Sequence, residues 1–402
     1  MKWGVGAGLL AVITIAGCQE KLTAPADCPA LCPGGQAQVF DEVFTAVSGG
    51  DSSFVGYLQP YQASALLVSN GLQQGFEERG LVRFLPRSGT FTLRDTARTY
   101  TIDSVALSVT LVARDTNLTG LQLLLYRLPQ SIDSTTTFAG VAPAFVPESL
   151  IATVGVPDSL ISGTVRTVFQ GAELSRVEIP AADSGRLGLG IRIFAPAITG
   201  VRVGALAAGT GPIFTTYVTL DVPDTGTAAK LRTIPLGPSF NTYVSEIPPV
   251  DPTLLPVGGT PSARALLRFN LPPRIRDSAT IVRATLELTP VTPIPGLLTD
   301  PGRLLGRAVL ADAGAKSPLS SALGRVPEDT VEAGATTVSL EAVRLVELWL
   351  RAGGRPPALV LSLTPEAASF TRPVFYSTRA ADPAVWPRLR ISYLLSFPFE
   401  TP

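Results

Sequence analysis

The chain has 402 residues, 46% hydrophobic and only 16% charged, a balance that builds folded cores and excludes a disordered chain. Its 32 basic and 32 acidic residues cancel, so the charge does not point to nucleic acid or an anionic surface as partner. There is no histidine, which excludes Ser-His-Asp and Cys-His catalysis, histidine zinc sites and histidine-ligated haem in one step. The only methionine is Met1, so thioether copper ligands are excluded too, and no metal or cofactor is expected.

The first predicted element is an export signal. Lys2 precedes the apolar run Leu9-Leu10-Ala11-Val12-Ile13-Thr14-Ile15, which is too short to cross about 30 Å of hydrocarbon. The residues that follow complete Ile15-Ala16-Gly17-Cys18, which resembles the lipobox of bacterial lipoproteins. The resemblance implies cleavage before Cys18, diacylation of its sulfur and acylation of its amine. Two or more acyl chains hold a protein stably where one binds reversibly. Gln19, not Asp, follows the cysteine, so the resemblance places the protein at the outer membrane of the cell envelope, with the face left open. A secretory signal with a chance cysteine, or an uncleaved anchor, are the alternatives. Residues 1–17 are then signal peptide, and 18–37, rich in Pro, Ala, Gly and Gln, a tether. Within it Cys28 and Cys32 enclose Pro29-Ala30-Leu31. An oxidising compartment permits a small disulfide between them, whereas redox pairs of the Cys-x-x-Cys kind have one residue fewer.

From residue 38 onward, runs of Val, Leu, Ile, Thr, Phe and Tyr alternate with polar residues and are punctuated by 36 prolines and 37 glycines. In chain order, strands are predicted at 80–84, 102–112, 121–126, 187–193 and 213–218, then at 265–269, 281–288, 358–363 and 389–393. Such spacing predicts an all-β fold of two tandem antiparallel β-sandwich, jelly-roll-like domains, 38–225 and 226–402. One segment differs. Ser339 to Gly354 has helical spacing of Leu340, Val343, Val346 and Leu350, with Ser339 as N-cap, Gly353 beyond the C-terminus and an i,i+4 pair from Glu347 to Arg351. Trp349 on this short helix is expected to pack it across an open end of the second domain.

The halves look related. Gly80-Leu81-Val82-Arg83-Phe84 followed by 102–109 parallels Ala265-Leu266-Leu267-Arg268-Phe269 followed by 281–288, and each half closes on an aromatic strand. A tandem duplication with its boundary near 223–227 accounts for this. The second half, through Arg264 to Pro272, Ile281 to Leu288, Val343 to Trp349 and Pro387-Arg388-Leu389-Arg390-Ile391-Ser392-Tyr393, resembles the DNRLRE-type domains, which are jelly rolls akin to carbohydrate-binding modules. The match spans about 230–396 and, more weakly, 40–222. It implies non-catalytic extracellular modules and transfers no catalytic residue. The first half has no counterpart of Trp349.

Motifs for chemistry are absent. There is no Gly-x-Ser-x-Gly elbow, and neither Lys230 nor Lys316 sits in Ser-x-x-Lys. The glycines of 185–190 fall in a predicted strand, where they serve close packing better than phosphate binding. Glu77-Glu78 and Glu328-Asp329 are carboxylate pairs of the kind glycosidases use, read here as loop-rim charges. Candidate faces for a ligand platform are Tyr57 and Tyr61, flanking Leu58-Gln59-Pro60 in a predicted loop, and Tyr376. The reading is a non-catalytic, membrane-anchored binding or adhesion protein for a glycan or envelope protein, with a structural envelope subunit and a carboxylate hydrolase as alternatives.

Overall fold

The computed structural model describes residues 39–73, 75–179, 186–222, 230–246, 251–321, 328–351 and 356–395. Cys18, Cys28 and Cys32 lie outside them, as does the boundary expected near 223–227. The described chain is largely antiparallel β-sheet, and each predicted strand overlaps an observed one to within a residue at its ends, from Phe76–Phe84 to Arg388–Leu395. No helix among the described residues is long and apolar enough to cross a membrane.

The predicted helix is shorter than its pattern. Ser339 belongs to a strand, Val338–Glu341, and the helix runs Val343–Arg351. Strand pairing outcompetes the serine cap here, because Ser339 sits opposite Glu287 on the neighbouring strand. The carboxylate of Glu341 accepts the Val343 N–H at 2.9 Å and so serves the helix start. Glu347 pairs with Arg351 at 3.4 Å, and buried Trp349 meets Phe269 with ring centroids 6.3 Å apart. Gly353 lies outside the described residues.

In the C-terminal body, a four-stranded sheet has the order Val39–Thr45, Arg388–Leu395, Ala279–Leu288, Val338–Glu341. A five-stranded sheet has the order Ser52–Val55, Ala263–Arg268, Ala358–Thr364, Gly302–Ala308, Glu328–Val331. Their inward side chains, among them Leu267, Leu286, Leu340, Leu361 and Ile391, form one core. The N-terminal body repeats this order position for position. Leu231–Leu236, Ile213–Leu220, Tyr100–Arg114 and Gly163–Gln170 are neighbours in one series. Pro238–Ser245, Phe76–Phe84, Gly188–Phe194, Gln122–Leu128 and Leu150–Gly155 are neighbours in the other. Here Ala65–Gln73 and Gly200–Gly204 join both series into one eleven-stranded sheet.

Strand pairing crosses the division expected at residue 225. The strands of 39–55 precede the N-terminal body in sequence but pair within the C-terminal body, on Arg388–Leu395 and Ala263–Arg268. Those of 231–245 pair within the N-terminal body, on Ile213–Leu220 and Phe76–Phe84. The leading strand pairs of the two halves are therefore reciprocally placed, each in the other half's body.

Side-chain chemistry matches each leading strand to the body it joins. On Val39–Thr45 the inward residues are Phe40, Glu42 and Phe44. Phe40 stacks on Tyr393 at 5.5 Å, while Glu42 accepts from Arg274 at 2.6 Å and from the Tyr393 hydroxyl at 2.7 Å. The bonds from Arg274, then Tyr393, hold the Glu42 carboxyl below the usual range. Phe44 lies opposite Leu389 as Leu236 lies opposite Phe214, so Ile234 occupies the place of Glu42 in the other body and packs on its apolar core. A carboxylate there would lie half-buried against apolar side chains.

The bodies meet through a shared interior. Leu297, Ala367, Ala368 and Phe370 come from the C-terminal half of the sequence yet belong to the core of the N-terminal body. Gly200 permits this approach, since a Cβ on it would lie 2.7 Å from the Phe370 ring. Buried Tyr243 adds a hydroxyl donated to the Ala367 carbonyl at 2.8 Å.

Candidate functional site

The described residue with the strongest claim to a ligand is Trp386. It ends a connection whose conformation is set locally. Asp382 caps the short 3-10 turn Pro383–Val385 by accepting the Ala384 N–H at 2.8 Å, and Pro383 suits the first turn position. Pro387 then restricts Trp386 to extended backbone, observed at φ −63° and ψ 152°. The indole N–H donates to the Ala380 carbonyl at 2.8 Å. The ring is thus held by turn, proline and hydrogen bond while remaining half-buried.

Trp386 lines two clefts of about 420 Å³ each. The first lies between the ends of Ala279–Leu288, Val338–Glu341 and Glu328–Val331, and its polar groups include Glu287, Asp329, Thr330, Thr337, Ser339 and Arg388. Three of these, Ser339, Glu287 and Arg388, are cross-strand neighbours in one row of the four-stranded sheet. Glu287 accepts from Arg390 at 3.1 Å, and Arg388 has no ion pair among the described residues. The second cleft is bounded by 43–48 and Asn270, where the leading strand leaves its sheet. An aromatic face with hydroxyls, carboxylates and a guanidinium beside it can stack on a sugar ring and bond its hydroxyls.

The tyrosines expected as a platform are placed elsewhere. Tyr57 is exposed, but the Arg264 guanidinium covers one face at 3.6 Å from the ring centroid and is itself held by Glu366. Tyr61 packs towards Phe240 of the N-terminal body, with centroids 6.1 Å apart. Tyr376 is half-buried on Val374–Tyr376, opposite Leu254. None of the three lines the Trp386 clefts.

The carboxylate pairs separate as well. Glu77 and Glu78 are not rim charges: both lie on Phe76–Phe84, where neighbours point to opposite faces. Glu77 is clamped by Arg79 and Arg192 at 2.7 and 2.5 Å, and Glu78 is fully buried. Exposed Asp329, in contrast, shares the first cleft with Glu287.

Composition marks Trp386 as one of three tryptophans, but only the fold reveals its clefts. The matching position of the N-terminal body holds no tryptophan. Gly211-Pro212-Ile213-Phe214 enters its strand as Trp386-Pro387-Arg388-Leu389 does, and a Cβ on Gly211 would lie 2.7 Å from Pro238. The N-terminal body has no room for a tryptophan there. No protein-family profile matches this chain, and no curated protein matches it either.

Proposed function

We propose that the protein is a non-catalytic, lipid-anchored lipoprotein of the cell envelope that binds glycan at Trp386, on two tandem jelly-roll-like β-sandwich domains. The observation that carries the binding role is the immobilised, half-exposed indole shared by two clefts. Envelope placement rests on Cys18 and the residues before it, and the jelly-roll reading on the matching strand orders of the two bodies. Binding suits the cleft carboxylates better than hydrolysis does. Asp329 is open to solvent and Glu287 is engaged by Arg390, which leaves both as acceptors for sugar hydroxyls.

The test is a polysaccharide array probed with the chain from residue 38 onward and with Trp386→Ala. Wild type is expected to retain a subset of glycans, and the variant to bind them at least about tenfold more weakly, equivalent to roughly 1.4 kcal/mol. Retention of no glycan, or equal binding by the variant, sinks the proposal. Shortening of a retained glycan, abolished by Glu287→Gln, would establish the hydrolase instead.

A further inference from the structure

Where the two bodies meet, a carboxyl group is enclosed with no solvent contact. Glu78, on Phe76–Phe84, has 0% exposure. The repeat does not require it, for alignment of Leu81-Val82-Arg83-Phe84 with Leu266-Leu267-Arg268-Phe269 puts Ala263 at the same place in the C-terminal body. Its partners come from both bodies. The Ser69 hydroxyl donates to Oε2, and Thr260 Oγ1, from the connection before Ala263–Arg268, lies 3.0 Å from Oε1.

The hydrogens in this network can be counted. Gln73 Nε2 donates to the Phe370 carbonyl at 3.1 Å, and Gln73 Oε1 accepts the Thr260 N–H at 3.1 Å, which together fix the orientation of the amide. Thr260 Oγ1 sits 2.9 Å from that same Gln73 Oε1 and 3.0 Å from Glu78 Oε1. Both are hydrogen-bond distances between oxygens, and each contact needs one hydrogen. The hydroxyl has one, and the amide oxygen has none. The second must come from Glu78, giving Glu78 Oε1–H to Thr260 Oγ1, and Thr260 Oγ1–H to Gln73 Oε1.

We propose that Glu78 is a neutral carboxylic acid in the folded protein that locks the two bodies together, and that its ionisation loosens their junction as external pH rises. The charged and titratable groups facing it are few. Arg372, itself buried, approaches from the C-terminal half and has no ion pair among the described residues, Tyr243 faces it from Pro238–Ser245, and Glu77 is its neighbour on the strand. Burial pushes the Glu78 carboxyl up to about 8, outweighing the attraction of Arg372, with the Glu77 carboxylate adding to the rise. A carboxyl raised on folding stabilises fully below its unfolded value, ordinarily 4.5, and that contribution is lost as pH climbs through about 8.

Glu78→Gln supplies an amide that donates to Thr260 and accepts from Ser69 but does not titrate. The whole chain would be unfolded in denaturant at a series of pH values. The wild-type unfolding constant divided by that of the variant is expected to rise about tenfold per pH unit between about pH 5 and 8, then level off. A ratio that is flat, or that falls as pH rises, would overturn the proposal. Infrared spectroscopy of wild type carrying isotope-labelled glutamate is the second measurement and needs no folded variant. A buried carboxylic-acid band at pH 6 that disappears near pH 8 is expected, and its absence at pH 6 would equally overturn it.

Discussion

A chain that begins at Tyr57 is expected to lose its C-terminal body, although the deletion removes only the segment farthest from that body in sequence. Residues 39–55 supply an edge strand to each of its sheets, with Val39–Thr45 pairing along its whole length with Arg388–Leu395. Phe40 and Phe44 cover the core from that edge, each worth about 1–2 kcal/mol of apolar burial at partial exposure. The lost strand hydrogen bonds and the unpartnered Arg274 add to this. Against a total stability of about 5–15 kcal/mol, such a loss unfolds the body. Tryptophan emission reads the result directly, because Trp349 and Trp386 both belong to the C-terminal body and Trp3 is absent from the shortened chain. A red-shifted emission and rapid proteolysis of 263–395 are expected. Native emission after the deletion would mean that 39–55 is dispensable. By the same reasoning the fragment 38–225 lacks the strands 231–245 and is expected to remain unfolded alone, so the whole chain should unfold in one cooperative step.

Asp51→Ala is expected to cost about 1.5–3 kcal/mol, the range for losing hydrogen bonds to a charged group and leaving a buried N–H unpaired, because the Arg379 partner is itself part-exposed. Asp51 is fully buried in the connection between the two leading strands. It accepts the Thr378 N–H at 2.6 Å, the Thr378 hydroxyl at 2.9 Å and Arg379 Nη1 at 3.1 Å. Alanine strands the buried Thr378 N–H, whereas the Thr378 hydroxyl keeps the Val47 carbonyl at 3.3 Å and Arg379 Nη1 keeps the Asp51 main-chain carbonyl at 3.1 Å. Asp51→Asn keeps the shape and loses the charge, so its cost should be smaller. The consequence extends to the candidate site. Thr378 and Arg379 begin the loop that continues through Ala380, the acceptor for the Trp386 indole, to the 3-10 turn. Asp51→Ala should therefore lower the melting temperature and weaken glycan binding together, whereas Trp386→Ala should weaken binding with little change in melting. Equal melting of Asp51→Ala and wild type would refute the assigned role of this knot.

Much of the fold was legible because strand formation is written in local alternation. Val105, Leu107, Val109 and Leu111 repeat with period two, and all four are buried on Tyr100–Arg114. The glycines of Gly188–Phe194 fall in a strand pattern that suits close packing, and a Cβ on Gly190 would lie 2.7 Å from the Phe145 ring. The helical spacing around Trp349 points it to the interior, and it is buried. Errors arose where two local signals competed or where a charge met a distant partner. Ser339 is a sound cap by composition but a strand residue by pairing, and Glu78 resembles a surface charge until Ser69 and Thr260 enclose it.

By itself, then, the sequence determined the class of fold, the two-fold rhythm of strands, the absence of histidine chemistry and the expectation of a lipid at Cys18. It did so because alternation, residue type and short motifs act within a few residues of one another. Only the tertiary structure decided which body each leading strand joins, that Trp386 rather than the three tyrosines borders the clefts, and that Glu78 is sealed between the bodies. Each of these rests on at least one contact remote in sequence: Val39 with Leu394, Asn241 with Val82, Trp386 beside residues 43–48, and Glu78 with Thr260. Phe40 has the same strand pattern whichever edge it meets, and what selects Arg388–Leu395 is the fit of Phe40 to Tyr393 and of Glu42 to Arg274.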